Sequence, residues 1–287
     1  MTSAEHGPIG FAAGKIPKID CHTHIVTPEI RDEYFSRTDG WALVMQFPDS
    51  IYPNPLCAET VRSDPRLFMC AAVDLKGDIP SRLREIESMI ERDKIVGLKI
   101  YLNYQAGRAS DEKLFPVYDF ARKHRLTVTF HTGLCSLVLP TDKDLEGTNA
   151  IYIEQAARRY PDVNFVIAHL DDPRYEGCVE ILSRNGNLFS DVSGVYEVGS
   201  SEVNDVEGTA ASFSRILHLK PGMDEKILFG TDFCPPINLD RIEEYELTAE
   251  RIFAPEELPS VYYQNCLRAF PRLREYAGIE ESDGSGI

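Results

Sequence analysis

A short segment near the start of the chain places two histidines one residue apart. It reads Ile19-Asp20-Cys21-His22-Thr23-His24. Side chains alternate along an extended strand, so His22 and His24 are expected to point to the same side. Two imidazoles that converge from one strand provide half of a metal site, and the other ligands are expected further along the chain.

Three later segments end a β-rich apolar run with a residue that can bind a metal. Together with the first pair, imidazole and carboxylate make a nitrogen–oxygen ligand set that suits Zn²⁺, and also Mn²⁺, Fe²⁺, Co²⁺ or Ni²⁺. A carboxylate beside such an ion can accept a proton from an activated water, so Asp232 is a candidate ligand and a candidate general base. The segments are Phe130-His131-Thr132-Gly133, Ala168-His169-Leu170 and Gly230-Thr231-Asp232-Phe233.

The elements that must position these residues alternate between strands and amphipathic helices. Helices are predicted over Ser81–Arg92, Ile151–Arg159 and Tyr175–Arg184, and another opens near Ser110 as its N-cap. Eight short apolar runs are typical of parallel strands buried on both faces. These runs are 17–25, 41–46, 67–75, 95–102, 126–131, 163–169, 187–193 and 226–231.

Strand–helix alternation repeated eight times predicts an α/β fold, a (β/α)8 TIM barrel, with a doubly wound sheet as the competing fold. The barrel is favoured because ligands from the first, fifth, sixth and eighth strands converge in a closed barrel and spread apart in an open sheet. Active sites of such barrels lie at the carboxyl ends of the strands. We expect an extended arm over 1–15, a single barrel over 16–278 and a disordered tail over 279–287.

Composition limits the partners and the compartment. The 287 residues carry a net charge of −16, which repels nucleic acid and anionic membranes but not a small substrate. Seven cysteines without framework spacing are typical of reduced thiols. There is no secretory-signal pattern and no apolar run near the ~20 residues of a membrane span, so a cytoplasmic protein is expected.

The motifs resemble the amidohydrolase superfamily over about residues 15–260. The resemblance rests on Ile-Asp-x-His-x-His, the Gly-Leu-Lys-Ile of strand four, His-Thr-Gly, Ala-His-Leu and Phe-Gly-Thr-Asp-Phe. It is strongest to the amidohydrolase-related (amidohydrolase 2) branch, which contains small metal-dependent hydrolases and nonoxidative decarboxylases of the aminocarboxymuconate-semialdehyde type. A homodimer is expected by family habit alone.

The resemblance implies that His22, His24, His131 and Asp232 hold one divalent ion, with zinc as the first expectation. It implies that His169 is a further ligand or an acid/base residue beside the metal. Lys99 of strand four corresponds to the lysine that is carbamylated in binuclear members and bridges a second metal. The alternative for Lys99 is contact with a substrate carboxylate or with Asp232.

Two reactions follow from this site, and both use a small-molecule substrate. The first is metal-dependent hydrolysis of an ester, lactone or amide, with Asp232 and His169 as catalytic residues. The second is decarboxylation of an aromatic or enoic acid by a carbon–carbon lyase. Decarboxylases of this branch tend to carry insertions after strand one, whereas strand two here starts at Trp41, so hydrolysis is favoured.

Other interpretations and weaker candidates complete the hypothesis. A nuclease on the same barrel is disfavoured by the net charge of −16 and by Lys99, where those enzymes place a glutamate. A binding or scaffold protein is disfavoured by the intact ligand set.

Arg174 and Tyr101 follow strands six and four and are candidate substrate contacts. Asp20 is expected to orient the first ligands through hydrogen bonds to the surrounding backbone.

Overall fold

The computed structural model describes residues 16–51, 56–133, 142–196, 205–235 and 241–276. Eight parallel strands form one sheet in chain order, which confirms the predicted TIM barrel and all eight predicted strands, each within shorter bounds. They are β1 Ile19–Thr23, β2 Trp41–Met45, β3 Leu67–Ala72, β4 Ile95–Tyr101, β5 Thr127–His131, β6 Phe165–Ile167, β7 Leu188–Asp191 and β8 Ile227–Leu228. The predicted arm and tail, 1–15 and 279–287, lie outside the described residues.

Backbone hydrogen bonds join the last strand to the first and close the barrel. The amide of Cys21 donates to the Phe229 carbonyl at 2.9 Å. Further up, the amide of Asp232 donates to the His22 carbonyl at 2.8 Å, and that of His24 donates to the Phe233 carbonyl at 2.8 Å. Closure therefore places Asp232, from beyond β8, directly beside the two histidines of β1.

An apolar plug fills the amino-terminal half of the barrel interior. Inward-facing residues of the strands, such as Leu43, Phe68 and Val166, pack there against Phe270 and Leu273 from the C-terminal segment. This plug excludes water from the lower half of the barrel and leaves the carboxyl ends of the strands for polar side chains.

Twelve α-helices are described within these ranges, most of them between consecutive strands. They are α1 Pro28–Arg37, α2 Cys57–Ser63, α3 Ile79–Met89, α4 Leu102–Gln105, α5 Phe115–His124, α6 Asp142–Gly147, α7 Ala150–Arg159, α8 Tyr175–Ser183, α9 Val206–Leu217, α10 Ile242–Ile252, α11 Asn265–Ala269 and α12 Pro271–Tyr276. None of them is long and apolar enough to span a membrane.

The predicted helices are present, but Ser110 is not an N-cap. A 3₁₀ turn over Glu112–Leu114 comes first, and α5 then begins at Phe115. Pro116 lies in the first turn of α5, where a residue without an amide proton is favoured, so the α-helix starts later than the polar residues suggest.

A buried carboxylate ties α7 to α8. The side chain of Glu154 is 4 % exposed and accepts hydrogen bonds from Arg184 at 2.7 Å, from Arg158 at 2.8 Å and from Asn185 at 2.9 Å. The Arg184 hydrogen bond is the main reason that the pKa of Glu154 falls from its usual 4.5 to about 2.

The Glu154→Gln variant is expected to lower the free energy of unfolding by about 2 kcal/mol at pH 7. Because the folded-state pKa is depressed, the stabilisation is complete above the unfolded pKa and disappears as the pH falls from 4.5 towards 2. Urea denaturation of wild type and variant between pH 7 and pH 3 measures this effect. The difference between their free energies of unfolding should narrow as the pH falls. Glu180→Gln on α8, whose side chain is 53 % exposed and pairs with Lys220, is the control expected to show little change.

Candidate metal centre

Three candidate ligand atoms converge at the carboxyl ends of the strands, where β8 meets β1. Oδ1 of Asp232 lies 3.1 Å from Nε2 of His24 and 3.3 Å from Nε2 of His22. The ligand atoms of these three residues all lie within 4.8 Å of one another, and all three side chains are buried. The predicted pair of β1 is therefore brought together with the predicted aspartate.

The hydrogen bonds made by Nδ1 of His22 and of His24 show which nitrogen of each ring carries the proton. Nδ1 of His24 lies 2.9 Å from the Met45 carbonyl oxygen, and Nδ1 of His22 lies 3.2 Å from a carboxylate oxygen of Asp191. Carbonyl and carboxylate oxygens only accept, so each ring carries its proton on Nδ1 and a lone pair on Nε2. Two lone pairs and one carboxylate oxygen then face a common point, which is the electrostatic pattern of a cation site.

His131 and His169 form the second half of the cluster. Nδ1 of His131 lies 3.2 Å from Nε2 of His169, and Nδ1 of His169 lies 3.2 Å from the Ser193 carbonyl oxygen. The carbonyl assigns the His169 proton to Nδ1, so His131 donates from Nδ1 to the free Nε2 of His169. Nε2 of His131 is then an acceptor; it is buried and has no hydrogen-bond partner among the described residues.

Burial keeps the rings of His22 and His131 neutral, as metal ligation requires. It lowers the pKa of His22 to about 4 and the pKa of His131 well below its usual value. Neutral imidazoles around an ionised carboxylate fit a divalent metal ion.

Asp191, at the end of β7, is a site residue that the sequence analysis missed. Its carboxylate contacts His22, and a second group of potential ligands consists of His22, His169 and Asp191. The signal was present, because Asp191 ends its strand as the other candidates do. His131 belongs to neither close group, although it lies one hydrogen bond from His169.

Lys99 projects from β4 into the same cluster. Its Nζ lies 3.1 Å from Nε2 of His22 and 5.2 Å from the centre of the Tyr101 ring. Burial lowers the pKa of Lys99 to about 8, against the opposing charges of Asp191 and Asp232. The Lys99 amine thus contacts Nε2 of His22, the atom through which this ring would bind the predicted metal.

The sequence of the chain matches one enzyme family over nearly the whole barrel. A sequence profile described as amidohydrolase matches residues 19–272. The chain belongs to the amidohydrolase family. Members of this family are metal-dependent enzymes that include hydrolases and decarboxylases. Among curated proteins, none matches the chain.

Solved structures with the same fold come from several bacteria. A TIM-barrel protein from Bordetella bronchiseptica has a TM-score of 0.66 at 15% identity, covering 89% of this chain and 99% of that one. The 4-oxalomesaconate hydratase of Rhodopseudomonas palustris gives 0.61 at 15% identity, covering 91% and 98%. The 5-carboxyvanillate decarboxylase of Sphingomonas paucimobilis gives 0.57 at 14% identity, covering 90% and 99%. At these identities the likeness shows the fold alone.

In this amidohydrolase Asp20 holds the segment that carries the candidate ligands His22 and His24 through hydrogen bonds, as expected from the sequence. Its carboxylate accepts from the backbone amides of His22 and Thr231, each at 3.1 Å, and from the hydroxyls of Thr231 at 2.6 Å and Tyr34 at 3.0 Å. Asp20 therefore fixes β1 against the segment that carries Asp232. Burial nevertheless raises its pKa to about 7.

Two of the predicted site residues lie on strained backbone. Asp232 has a φ of 53°, and His169 has a φ of 57° and is followed by Leu170 and Asp171, which also have positive φ. Left-handed backbone costs a residue other than glycine about 1–3 kcal/mol. Such residues are concentrated at functional sites. Here it turns the chain so that Asp232 and His169 both face the barrel axis.

The weaker candidates are placed differently. Tyr101 lies beside the cluster, with its ring centre 5.6 Å from that of His131, and its buried hydroxyl has no partner within the described ranges. Arg174 instead forms a two-point ion pair with Asp171, at 2.7 and 3.0 Å, and also donates to Thr148. The structure therefore brings Tyr101 to the amidohydrolase site and directs Arg174 towards Asp171.

Proposed function

We propose that this amidohydrolase is a metal-dependent hydrolase that cleaves an ester, lactone or amide of a small organic molecule. The observation that carries the proposal is the convergence of Asp232 with Nε2 of His22 and of His24 at 3.1–3.3 Å. We propose that His131 completes the set through its buried Nε2. One divalent ion is proposed, with zinc as the first expectation.

A bound divalent ion would polarise the substrate carbonyl and acidify a water molecule at the rim. Asp232 has an ionised carboxylate at this point and accepts the proton of the attacking water. Nε2 of His169 holds a lone pair and can take up a proton during turnover, at the expense of its hydrogen bond with His131. Lys99 and Tyr101 offer donors to an oxygen of the substrate.

A specific feature favours decarboxylation as the second candidate function. Aromatic rings continue outward from the ligands: Phe47 stacks on His24 with ring centres 4.2 Å apart, and Tyr101 and Tyr104 lie 5.6 and 5.7 Å from His131. Such a wall suits a flat, unsaturated acid. The alternative is therefore a carboxy-lyase that acts on an aromatic or enoic carboxylic acid.

Elemental analysis of the purified protein tests the metal site. One equivalent of a divalent metal is expected in the wild type, with most of it lost in His24→Ala. His218→Ala, at the exposed end of α9, is the matched control and should retain the metal. Protein without measurable affinity for any of the five candidate metals would refute both enzymatic proposals.

Isotope labelling separates the two reactions once a screen of lactones, amides and aromatic acids yields a substrate. Hydrolysis in H₂¹⁸O incorporates one solvent oxygen into the product. Decarboxylation releases CO2 and, in D₂O, places deuterium on the carbon that carried the carboxylate. CO2 release without solvent oxygen in the remaining product would refute hydrolysis and establish the lyase.

A further inference from the structure

We propose that Asp191 is a positioning residue that directs the lone pairs of two metal ligands, one through direct contact and one through Ser193 and His169. The inference rests on the proposed metal site and adds residues that bind no metal themselves. It concerns where neutral imidazoles carry their protons, because an imidazole binds a metal only through a nitrogen that has no proton.

The first branch is direct. One carboxylate oxygen of Asp191 accepts from Nδ1 of His22 at 3.2 Å, which leaves Nε2 of His22 facing Asp232. The carboxylate is buried, and its other oxygen accepts from the backbone amides of His169 at 3.0 Å and Ser193 at 3.2 Å. These backbone contacts fix the carboxylate, so its orientation does not depend on the ring that it holds.

The second branch runs through a hydroxyl. Oγ of Ser193 lies 2.5 Å from Asp191 Oδ1 and 3.0 Å from Nδ1 of His169. A carboxylate only accepts, so the single hydroxyl proton goes to Asp191, and the oxygen of Ser193 accepts from His169. Nε2 of His169 must then accept from Nδ1 of His131, whose Nε2 is left as a lone pair.

The backbone after Ser193 passes very close to the His169 ring. Gly194 has a φ of 75°, and a β-carbon at this position would lie 2.7 Å from Nδ1 of His169. Only glycine allows the chain to pass so close to the ring in that conformation. The protons of both branches therefore point towards Asp191, which sets the tautomer of His22 on β1 directly and supports that of His131 on β5 together with the Ser193 carbonyl.

Nuclear magnetic resonance of metal-free protein with ¹⁵N-labelled histidine tests the assignment without using catalysis. Single His→Asn variants assign the signals. His22, His131 and His169 are expected as Nδ1–H tautomers in the wild type. An Nε2–H tautomer at His22 or His131 would overturn the proposal even if hydrolysis were established, whereas the expected tautomers remain compatible with either reaction.

The Asp191→Asn variant tests the cause. The backbone amides of His169 and Ser193 donate to Oδ1 and would hold the asparagine oxygen there. The asparagine NH2 group would then face Nδ1 of His22, and His22 should change to the Nε2–H form. Co²⁺ affinity, measured by competition with a chelator, is expected to fall by roughly 10–100-fold. A tautomer pattern and an affinity equal to those of the wild type would overturn the proposal.

Two serine variants on the same stretch of chain refine the result. Ser193→Ala removes only the hydroxyl, and the Ser193 carbonyl still accepts from His169, so a smaller loss of Co²⁺ affinity is expected. Ser190→Ala is the matched control, because the Ser190 hydroxyl donates to the backbone carbonyls of Ile167 at 2.5 Å and Asp191 at 3.3 Å, and removing it leaves the carboxylate contacts of Asp191 in place. Its loss should not affect the affinity. Equal losses in both serine variants would indicate general loosening of the strand and would contradict the proposal.

Discussion

The Asp232→Asn variant is expected to reduce kcat by roughly 10³-fold. The carboxylate contacts Nε2 of both His22 and His24, and in the proposed reaction it supplies the negative charge of the ligand group and the proton acceptor. Asparagine keeps the size and readily adopts the left-handed backbone found at this position, where φ is 53°. An amide cannot accept a proton at neutral pH, and steady-state rates at saturating metal measure what remains.

The design separates ligation from proton transfer. Metal content measured in parallel shows how much of the loss is due to empty sites, and the loss at full occupancy is due to the missing base. Asp64→Asn, at the opposite end of the barrel, removes a carboxylate that pairs with Arg66 and is the matched control. If the Asp232→Asn enzyme is fully loaded and its kcat stays within about tenfold of the wild type, Asp232 is not the base.

Local patterns were sufficient to predict the barrel. Each strand is a short apolar run, and each run could be recognised from its own residues, including β8, of which only Ile227–Leu228 is regular strand. The same rule located His22, His24 and Asp232, because a parallel barrel brings the carboxyl ends of all strands to one rim.

Contacts between distant residues could not be predicted in this way. Asp191 ends its strand as the other candidates do, but its contact with His22, 169 positions away in the chain and 3.2 Å distant in the fold, has no signature in the sequence. Arg174 was a candidate substrate contact, and in the fold its guanidinium pairs with Asp171, three residues earlier, at 2.7 Å. Charge balance within one turn is visible in a sequence, whereas pairing across a barrel depends on register and closure.

The Lys99→Met variant is expected to bind the metal at least about tenfold more tightly and yet to be a poorer enzyme. Nζ of Lys99 lies 3.1 Å from Nε2 of His22, so a protonated amine opposes any cation at the same nitrogen. Methionine fills a similar buried volume without the charge. With the amine lost as a substrate contact, kcat/KM should fall by roughly 10²-fold.

The same variant decides between the two roles of this lysine. If Lys99 were carbamylated and bridged two ions, the wild type would hold two equivalents of metal and Lys99→Met would lose one of them. If it contacts the substrate, both proteins hold one equivalent, and chelator competition shows the tighter binding. Lys94→Met is the control, because its amine donates to the Asp64 carbonyl at 2.6 Å and its loss should leave metal affinity unchanged. If metal affinity and kcat/KM are both unaltered in Lys99→Met, Lys99 neither opposes the metal with its charge nor contacts the substrate, and the proposal for this lysine is wrong.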